Sequence, residues 1–243
     1  MDTLPEVDVA VVGAGPAGMM AAIAAAEEGA HVTLCEHLPH LGTKLLATGG
    51  GRCNITNTLP VAEFMERFGR FGKYARPALT VLGPTELRNF FERMGVPTHA
   101  PDGFHVFPCT HQSATVTQAL ENRLRTCNVL LRHSMRIEHL LTDEKGLTGI
   151  GTDTEDIRTK HVVIATGGRS YPALGATGDG YRLAQQAGHC ITDTCPAMVP
   201  LITKQTWPAR CRANTIPKVE VNVALPKCRG LRSTGDLIFT RTG

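Results

Sequence analysis

Residues 7–36, VDVAVVGAGPAGMMAAIAAAEEGAHVTLCE, decide how the rest of the chain folds. Val7, Val9, Val11 and Val12 form a short, mostly β-branched run, the pattern of a parallel strand covered on both faces. Gly13-Ala14-Gly15-Pro16-Ala17-Gly18 then fits G-x-G-x-x-G. Gly13 permits the tight turn, Gly15 lets backbone approach a pyrophosphate, and Gly18 lets a helix pack close to the sheet. Pro16 falls in the first helical turn, where a missing N–H costs nothing. The free amides and the helix dipole there suit a diphosphate. The helix carries no charge until Glu27 and Glu28, and Gly29 stops it. Residues 31–35 return as a second strand, and Glu36 follows where an acid takes the ribose hydroxyls of an adenosine. Strand, fingerprint, helix, strand and acid fall in register, which a chance glycine turn does not supply. A carboxylate at Glu36 repels a 2′-phosphate, so the adenosine half belongs to FAD or NAD rather than NADP.

The chain has 243 residues, enough for one large domain or one domain and part of another. Hydrophobic residues make up 42% and charged residues 19%, with 25 glycines, in keeping with a soluble α/β protein. The net charge of +3 is too small and dispersed for a nucleic-acid partner over the whole molecule. Residues 9–26 lack charge, yet their glycine–proline centre between two strand signals argues against a membrane span. With no basic leader and cleavage site at the N-terminus, the expectation is a cytoplasmic protein without a membrane partner. The eight cysteines show no C-x-x-C pair and no regular spacing, so they are expected to be reduced and largely structural.

After Glu36 comes the stretch G-T-K-L-L-A-T-G-G-G-R-C-N-I-T-N, residues 42–57. Gly49, Gly50 and Gly51 make neither a good helix nor a good strand, so backbone here must come near something. Lys44 and Arg52 set positive charge on either side, and Arg52, Asn54, Thr56 and Asn57 supply donors suited to a phosphate, a ribityl chain or a flavin ring. The fingerprint together with T-G-G-G-R-C-N-x-T-N resembles the aminoacetone-oxidase-like FAD-binding flavoproteins, a family that includes enzymes proposed to reduce bile-acid intermediates. The resemblance implies FAD as cofactor, a small-molecule substrate, and NAD(P)H or dioxygen as redox partner. It sets the adenosine at Glu36, the diphosphate at Gly13–Gly18, and residues 42–57, including Lys44, Gly50, Gly51, Arg52, Cys53 and Asn54, at the ribityl or flavin end. Cys53 has no cysteine a few residues on, which disfavours disulfide-reductase chemistry. It reads as a packed or flavin-adjacent thiol, with Arg52 placed to lower its pKa.

Residues 60–95 carry helical periodicity in pieces. Phe64, Phe68 and Phe71, then Leu87, Phe90, Phe91 and Met94 after Pro84, are read as core stripes. Residues 96–108 read as a hairpin around Pro101-Asp102-Gly103. Cys109 and His111 fall on one face of an extended strand, but no matching ligands accompany them, so no metal site is assigned. Residues 115–125 read as an amphipathic helix, 129–131 as a strand, and 136–142, 147–152 and 156–160 as a three-stranded meander.

Val162-Val-Ile-Ala-Thr-Gly-Gly168 is a second strong site, a buried strand running out in Ala165, Thr166, Gly167 and Gly168. In the glutathione-reductase-like architecture that the resemblance implies, this turn closes the nucleotide site, and Met135 and Arg136 contact adenine. The turn at 171–180 leads into a helix over 181–187 and by the resemblance lies near the flavin, while capping explains Asp179 at the start of that helix equally well.

The expected fold is therefore α/β: a glutathione-reductase-like, doubly wound, Rossmann-type FAD-binding domain over 1–190. It carries a β-meander and a helical and hairpin insertion at about 58–110. Prolines at 196, 200, 208, 217 and 226 punctuate short β-like runs beyond it, so 191–243 is expected to be an incomplete β-rich second domain. Lys204, Arg210, Arg212, Lys218, Lys227, Arg229 and Arg232 make this part basic, the mark of a solvated face or of a surface for anions. In the resembled family a G-x-L-x-F-T-x-x-G stretch like that at 235–243 lies mid-sequence, so the chain is expected to be a fragment. No G-x-S-x-G elbow, H-E-x-x-H or telling carboxylate pair identifies a catalytic acid or base. Two rival readings stand: a flavin-free NAD-binding oxidoreductase, which leaves residues 42–57 unexplained, and a non-catalytic nucleotide-binding remnant.

Overall fold

In a computed structural model the residues described are 6–196, 201–212, 214–225 and 230–240. The chain divides into two compact units, Met1–Ile191 and Thr192–Gly243. The first is built on strand β1 (Glu6–Val12), helix α1 (Pro16–Glu27) and strand β2 (Val32–Cys35). β1 pairs β2 in parallel, Val9 opposite Val32 through Val12 opposite Cys35. Ala10, Val11 and Val12 are buried and Val7 and Val9 half-buried because both faces of the sheet are covered, and β2 is buried at every position.

The short helix α2 (Thr43–Leu46), strand β3 (Thr56–Asn57) and helices α3 (Val61–Glu66), α4 (Gly72–Val81) and α5 (Pro84–Arg93) follow. Strands β4 (Thr98–His99) and β5 (His105–Pro108) then form the hairpin, with β3 on the other edge of β5. Asp102 shapes its turn by accepting the Phe104 and His105 N–H groups at 2.9 and 2.7 Å. Helix α6 (Ser113–Thr126) leads into β6 (Leu130–Arg132), β7 (His139–Asp143), β8 (Gly146–Gly151), β9 (Asp156–Ile164) and helix α7 (Asp179–Gln186).

The main sheet has six strands in the order β6-β2-β1-β9-β8-β7. β9 is one continuous strand where the sequence suggested two. Its first residues pair antiparallel with β8, Ile157 opposite Ile150, and it then runs parallel to β1 from Arg158 opposite Glu6 to Ile164 opposite Val12. The meander is thus an extension of the parallel sheet. On one face α1 and α6 bury Met19, Ile23, Val116, Leu120 and Leu124 against Val11 and Leu34. On the other, Leu183 of α7 packs with Ala10, Val12, Ile137, Ile150 and Ile157. Each large side chain so buried contributes roughly 1.5–3 kcal/mol relative to exposure.

The aromatic stripe before α5 departs from expectation. Leu87, Phe90, Phe91 and Met94 do pack on the core, but Phe68 and Phe71 are 47% and 57% exposed. Their rings meet one another and nearby cations instead: Phe64 lies 5.4 Å from Phe68, and the Arg70 guanidinium 4.8 Å above Phe71. Periodicity marks one side of a helix and does not say what lies opposite.

In the second unit a short helix α8 (Trp207–Arg210) precedes an antiparallel ribbon of β10 (Thr215–Asn222) and β11 (Arg232–Ile238). The register shifts between Ile216 and Val219, and the Lys218 N–H is taken by the Asp236 carboxylate at 3.1 Å. Pro200, Pro226, Lys227, Arg229 and residues 241–243 lie outside the described residues.

Candidate functional site

A cleft of about 600 Å³ opens at the carboxyl ends of the parallel strands, where open α/β sheets bind ligands. Gly13, Gly15, Pro16, Ala17, Glu36, Lys44, Met135, Arg136, Ala165, Thr166, Gly167 and Asp179 all line it.

The fingerprint glycines divide by what surrounds them. A Cβ on Gly18 would overlap the Gly13 carbonyl oxygen, and one on Gly13 would sit 2.7 Å from the Ala165 oxygen. Gly13 also holds a φ of +98°. Those two positions bring α1, β1 and the end of β9 into backbone contact. Gly15 is different: a Cβ there meets nothing within 4 Å and would project into open space. Gly15 is the N-cap of α1, no side chain caps that end, and no acid occupies its first turn. The helix therefore offers amide donors and its positive dipole end to the cleft.

Glu36 leaves the end of β2 and is only 6% exposed. Its Oε2 accepts the Ala14 N–H at 2.7 Å and its Oε1 the Leu38 N–H at 2.9 Å. The His37 Nδ1 stands 2.9 Å from the same Oε1. These contacts fix the carboxylate beside the fingerprint. Thr166 also lines the cleft, but its hydroxyl oxygen is buried against Gly180 of α7 and has no hydrogen-bond partner among the described residues. A cleft with an uncapped helix N-terminus, backbone free to be approached at Gly15 and a fixed carboxylate fits an adenosine dinucleotide.

Asp179 caps nothing. It is the first residue of α7, whose N-cap is Gly178, and its carboxylate accepts from Arg136 at 3.0 and 3.2 Å and from the Thr177 hydroxyl at 2.8 Å. The Arg136 hydrogen bond holds the Asp179 carboxyl below the usual carboxylate range, and Asp179 in turn raises Arg136. Arg182 and Glu138 complete a network of alternating charge along this edge. Lys44 is anchored too: its ammonium donates to the Ser170 carbonyl at 2.9 Å.

The glycine-rich loop sits differently. Gly50, Gly51, Arg52, Cys53, Asn54 and Gly168 do not line the cleft. Arg52 donates to the Gly49 carbonyl at 3.2 Å and stacks 5.0 Å from the Phe107 ring. Asn54, with its amide oriented to satisfy both groups, donates to the Thr56 and Val106 carbonyls at 2.8 and 3.3 Å. Cys53 is 1% exposed and belongs to the core, and burial pushes its thiol up to about 11. That reverses the expectation that Arg52 lowers it. Cys53 is a packing residue held at φ +62°, in the left-handed region.

His37 and Leu38, which the sequence reading did not single out, line the cleft, as do Gly42 and Thr43 of the glycine-rich stretch and Leu174–Thr177 of the turn that the resemblance places near the flavin. Gly175 and Gly178, in left-handed backbone on either side of Ala176 and Thr177, were the available signal. Among the described residues no three metal-ligating side chains converge. β5 ends at Pro108, so Cys109 and His111 do not share a strand face as expected; His111 instead meets His99, Nε2 to Nε2 at 2.8 Å. No described helix is long and apolar enough to cross a membrane.

The HI0933-like protein Rossmann domain matches residues 7–239. This chain belongs to that family. It is 35% identical over 237 residues to a 3-dehydro-bile acid delta(4,6)-reductase of Clostridium scindens, covering 97% of this chain and 57% of that protein. It is 28% identical to a ribosomal RNA dihydrouridine synthase of Escherichia coli, covering 97% and 58%. The chain thus spans little more than half the length of these curated relatives. A flavocytochrome c3 fumarate reductase in its open conformation shares the fold with a TM-score of 0.62 at 22% identity, over 94% of this chain and 45% of that one. The architecture is accordingly a Rossmann-type FAD-binding α/β domain, related to oxidoreductases.

Proposed function

We propose that this chain binds FAD in the cleft and serves an oxidoreductase that passes hydride or electron pairs between a small organic substrate and NAD(P)H or dioxygen. The observation that carries this reading is the joint placement of Glu36 and the uncapped N-terminus of α1 on one cleft. Glu36 takes the adenosine ribose. Gly13, Gly15, Pro16 and Ala17 surround the diphosphate, and Gly18 keeps the helix close enough for its amides to reach. Met135 and Arg136 flank the adenine, and Ala165, Thr166 and Gly167 close the far side, with Gly168 continuing that turn outside the cleft. Asp179 holds Arg136 in place. Lys44, Gly50, Gly51, Arg52, Cys53 and Asn54 mark the ribityl and flavin end, the last five by shaping the loop behind Lys44.

Bound FAD supplies the two-electron chemistry, while the chain binds, orients and shields it. The Ala14 and Leu38 amides fix the Glu36 carboxylate as a hydrogen-bond acceptor, and the amides of α1 face the diphosphate oxygens. A small organic substrate is favoured by the relative named for a 3-dehydro-bile acid and, over an RNA like that in the name of the second relative, by a net charge of only +3. We place the protein in the cytoplasm, in line with seven described cysteines that are all free.

A second reading is a non-catalytic nucleotide-binding remnant of such a flavoprotein. An absorption spectrum of the purified chain, before and after excess FAD and desalting, tests the first. Flavin bands that survive desalting and bleach with a reduced nicotinamide support the full proposal with that donor; bands that resist it remove the nicotinamide branch and leave the dioxygen-linked enzyme or the remnant. A folded protein that retains no flavin but binds NAD returns the site to a flavin-free dehydrogenase.

A further inference from the structure

The stretch from Arg67 to Leu82 carries an apolar stripe that the fold leaves uncovered. Its sequence, R-F-G-R-F-G-K-Y-A-R-P-A-L-T-V-L, holds four cations and three aromatic rings, and no acid falls between Glu66 and Glu86. It folds as a tight turn at Gly69–Phe71 followed by α4. Gly72 is buried, and a Cβ there would overlap the Met65 carbonyl oxygen of α3. This backbone contact pins the start of α4 and fixes which way its faces point. Phe71, Tyr74, Ala78 and Val81 recur at spacings of three, four and three, the period of one helix face. All four are exposed, Tyr74 by 72% and Val81 by 80%. Arg67, Arg70, Lys73 and Arg76 are exposed as well, and none forms an ion pair among the described residues. Arg70 and Lys73 lie over the Phe71 and Tyr74 rings at 4.8 and 5.0 Å.

We propose that this face docks on an anionic lipid bilayer, with Phe71, Tyr74 and Val81 entering the headgroup boundary and the four cations meeting the lipid phosphates and carboxylates. An apolar stripe bordered by Lys and Arg, with no acid among them, is what a helix lying in a membrane interface presents. The Arg70 and Lys73 stems cover ring faces while their charged ends stay free to reach headgroups. A helix of this kind rests on the bilayer without spanning it, and no described helix is long and apolar enough to cross. Other occupants fit less well. A second copy of the chain would set these cations against their own counterparts. A single-stranded RNA would use the rings and the cations, but it leaves the exposed Ala78 and Val81 without a role. The inference stands apart from the FAD reading, because none of these residues lines the cleft.

Co-sedimentation of the full chain with vesicles of phosphatidylcholine, with and without phosphatidylserine, tests this. The chain should pellet with the mixed vesicles, stay in solution with phosphatidylcholine alone, and bind more weakly as salt is added. Arg70→Glu with Lys73→Glu should lower the affinity at least about tenfold, since each cation near an anionic surface is worth about fivefold. Tyr74→Ser with Val81→Ser should lower it about tenfold with every cation in place, through lost apolar contact. Both pairs should melt with the parent, because the altered side chains are exposed. Should either pair fail to fold, Val81→Ser alone decides, with a loss of at least about threefold expected. Arg232→Glu in the second unit should leave vesicle binding unchanged, and a loss there as large as in the α4 pairs overturns the assignment to this face. No binding to mixed vesicles, equal binding to both kinds, or undiminished binding in either pair also overturns it. So does tighter binding to a single-stranded RNA oligonucleotide than to vesicles, or a dimer in solution that Tyr74→Ser with Val81→Ser dissolves.

Discussion

Two glycine-rich turns lie close together in this chain, and they use glycine for opposite reasons. In the fingerprint, Gly13 and Gly18 are glycines because there is no room for a side chain: backbone of β1, α1 and the end of β9 meets there. In the loop at 48–54, a Cβ on Gly50 or Gly51 meets nothing within 4 Å, yet both hold positive φ, at +66° and +86°. Close approach defines Gly13 and Gly18 of the first turn and backbone conformation defines Gly50 and Gly51 of the second, while Gly49 combines a positive φ with a Cβ position 2.9 Å from the Asn54 nitrogen. Gly15 belongs to neither group, with ordinary φ of −72° and open space before it. Sequence pattern alone scores all these positions alike, but the cost of losing each glycine should differ by several kcal/mol.

The largest expected effect is at Gly18. An added methyl overlaps the Gly13 carbonyl, a backbone atom that cannot yield without opening the strand–helix turn. Gly18→Ala should cost about 3 kcal/mol or more, overpacking combined with backbone strain. Denaturant unfolding of the variant measures this directly. A loss under about 1 kcal/mol would mean that α1 slides along the sheet, and the close-approach account of the fingerprint would fail.

The next effect concerns charge at the edge of the cleft. Asp179 has its folded pKa depressed, first by the Arg136 hydrogen bond, so the unfolded chain binds more protons at acid pH. Its stabilising contribution is present above the ordinary aspartate range and is lost as pH falls through the lower folded value. Asp179→Asn should therefore be less stable than the parent at neutral pH by about 1 kcal/mol, since Arg136 is half exposed and solvent screens the pair. The two should converge at strongly acid pH. Parallel stability curves from neutral to acid pH would remove Asp179 from the ledger and assign Arg136 to a ligand alone.

Legibility followed the same division. The β1–α1–β2 unit could be read because burial on both faces, close approach and an acid in register each leave a mark on residue type. The meander was visible as alternation, but Lys160 and His161, both exposed on β9, looked like a break between two strands. They are one strand that changes neighbours, and pairing leaves no trace in side-chain polarity there. Phe68 and Phe71 misled because periodicity reports a face and not its partner. The Leu174–Thr177 wall of the cleft could be placed only through the family resemblance, because an irregular segment has no period at all. For the loop at 48–54, residue types suited to a ligand turned out to hold one another: Arg52 lies on Phe107, Asn54 on carbonyls of neighbouring strands, and Cys53 in the core.

Within that loop, Gly50→Ala should cost about 1 kcal/mol, the price of a left-handed alanine with no clash. Gly50→Asn, which tolerates that conformation better, should cost less. Equal losses for the two would point to a steric demand that the open space around Gly50 does not show.

The smallest effect on stability is expected at Gly15, and it is the most informative. Alanine adopts its backbone angles without strain and its methyl touches no protein atom, so Gly15→Ala should melt with the parent, within about 0.5 kcal/mol. The methyl nonetheless projects from the N-cap of α1 into the cleft, where a diphosphate must approach the amides. FAD affinity should fall at least about tenfold, which corresponds to 1.4 kcal/mol. Gly18→Ala would lose binding because it loses the turn; Gly15→Ala would lose binding with the turn intact. Calorimetric melts and FAD titrations on the two variants separate these cases. Unchanged affinity in Gly15→Ala would mean the diphosphate does not lie over the start of α1, and the glycines of the fingerprint would then serve the fold alone.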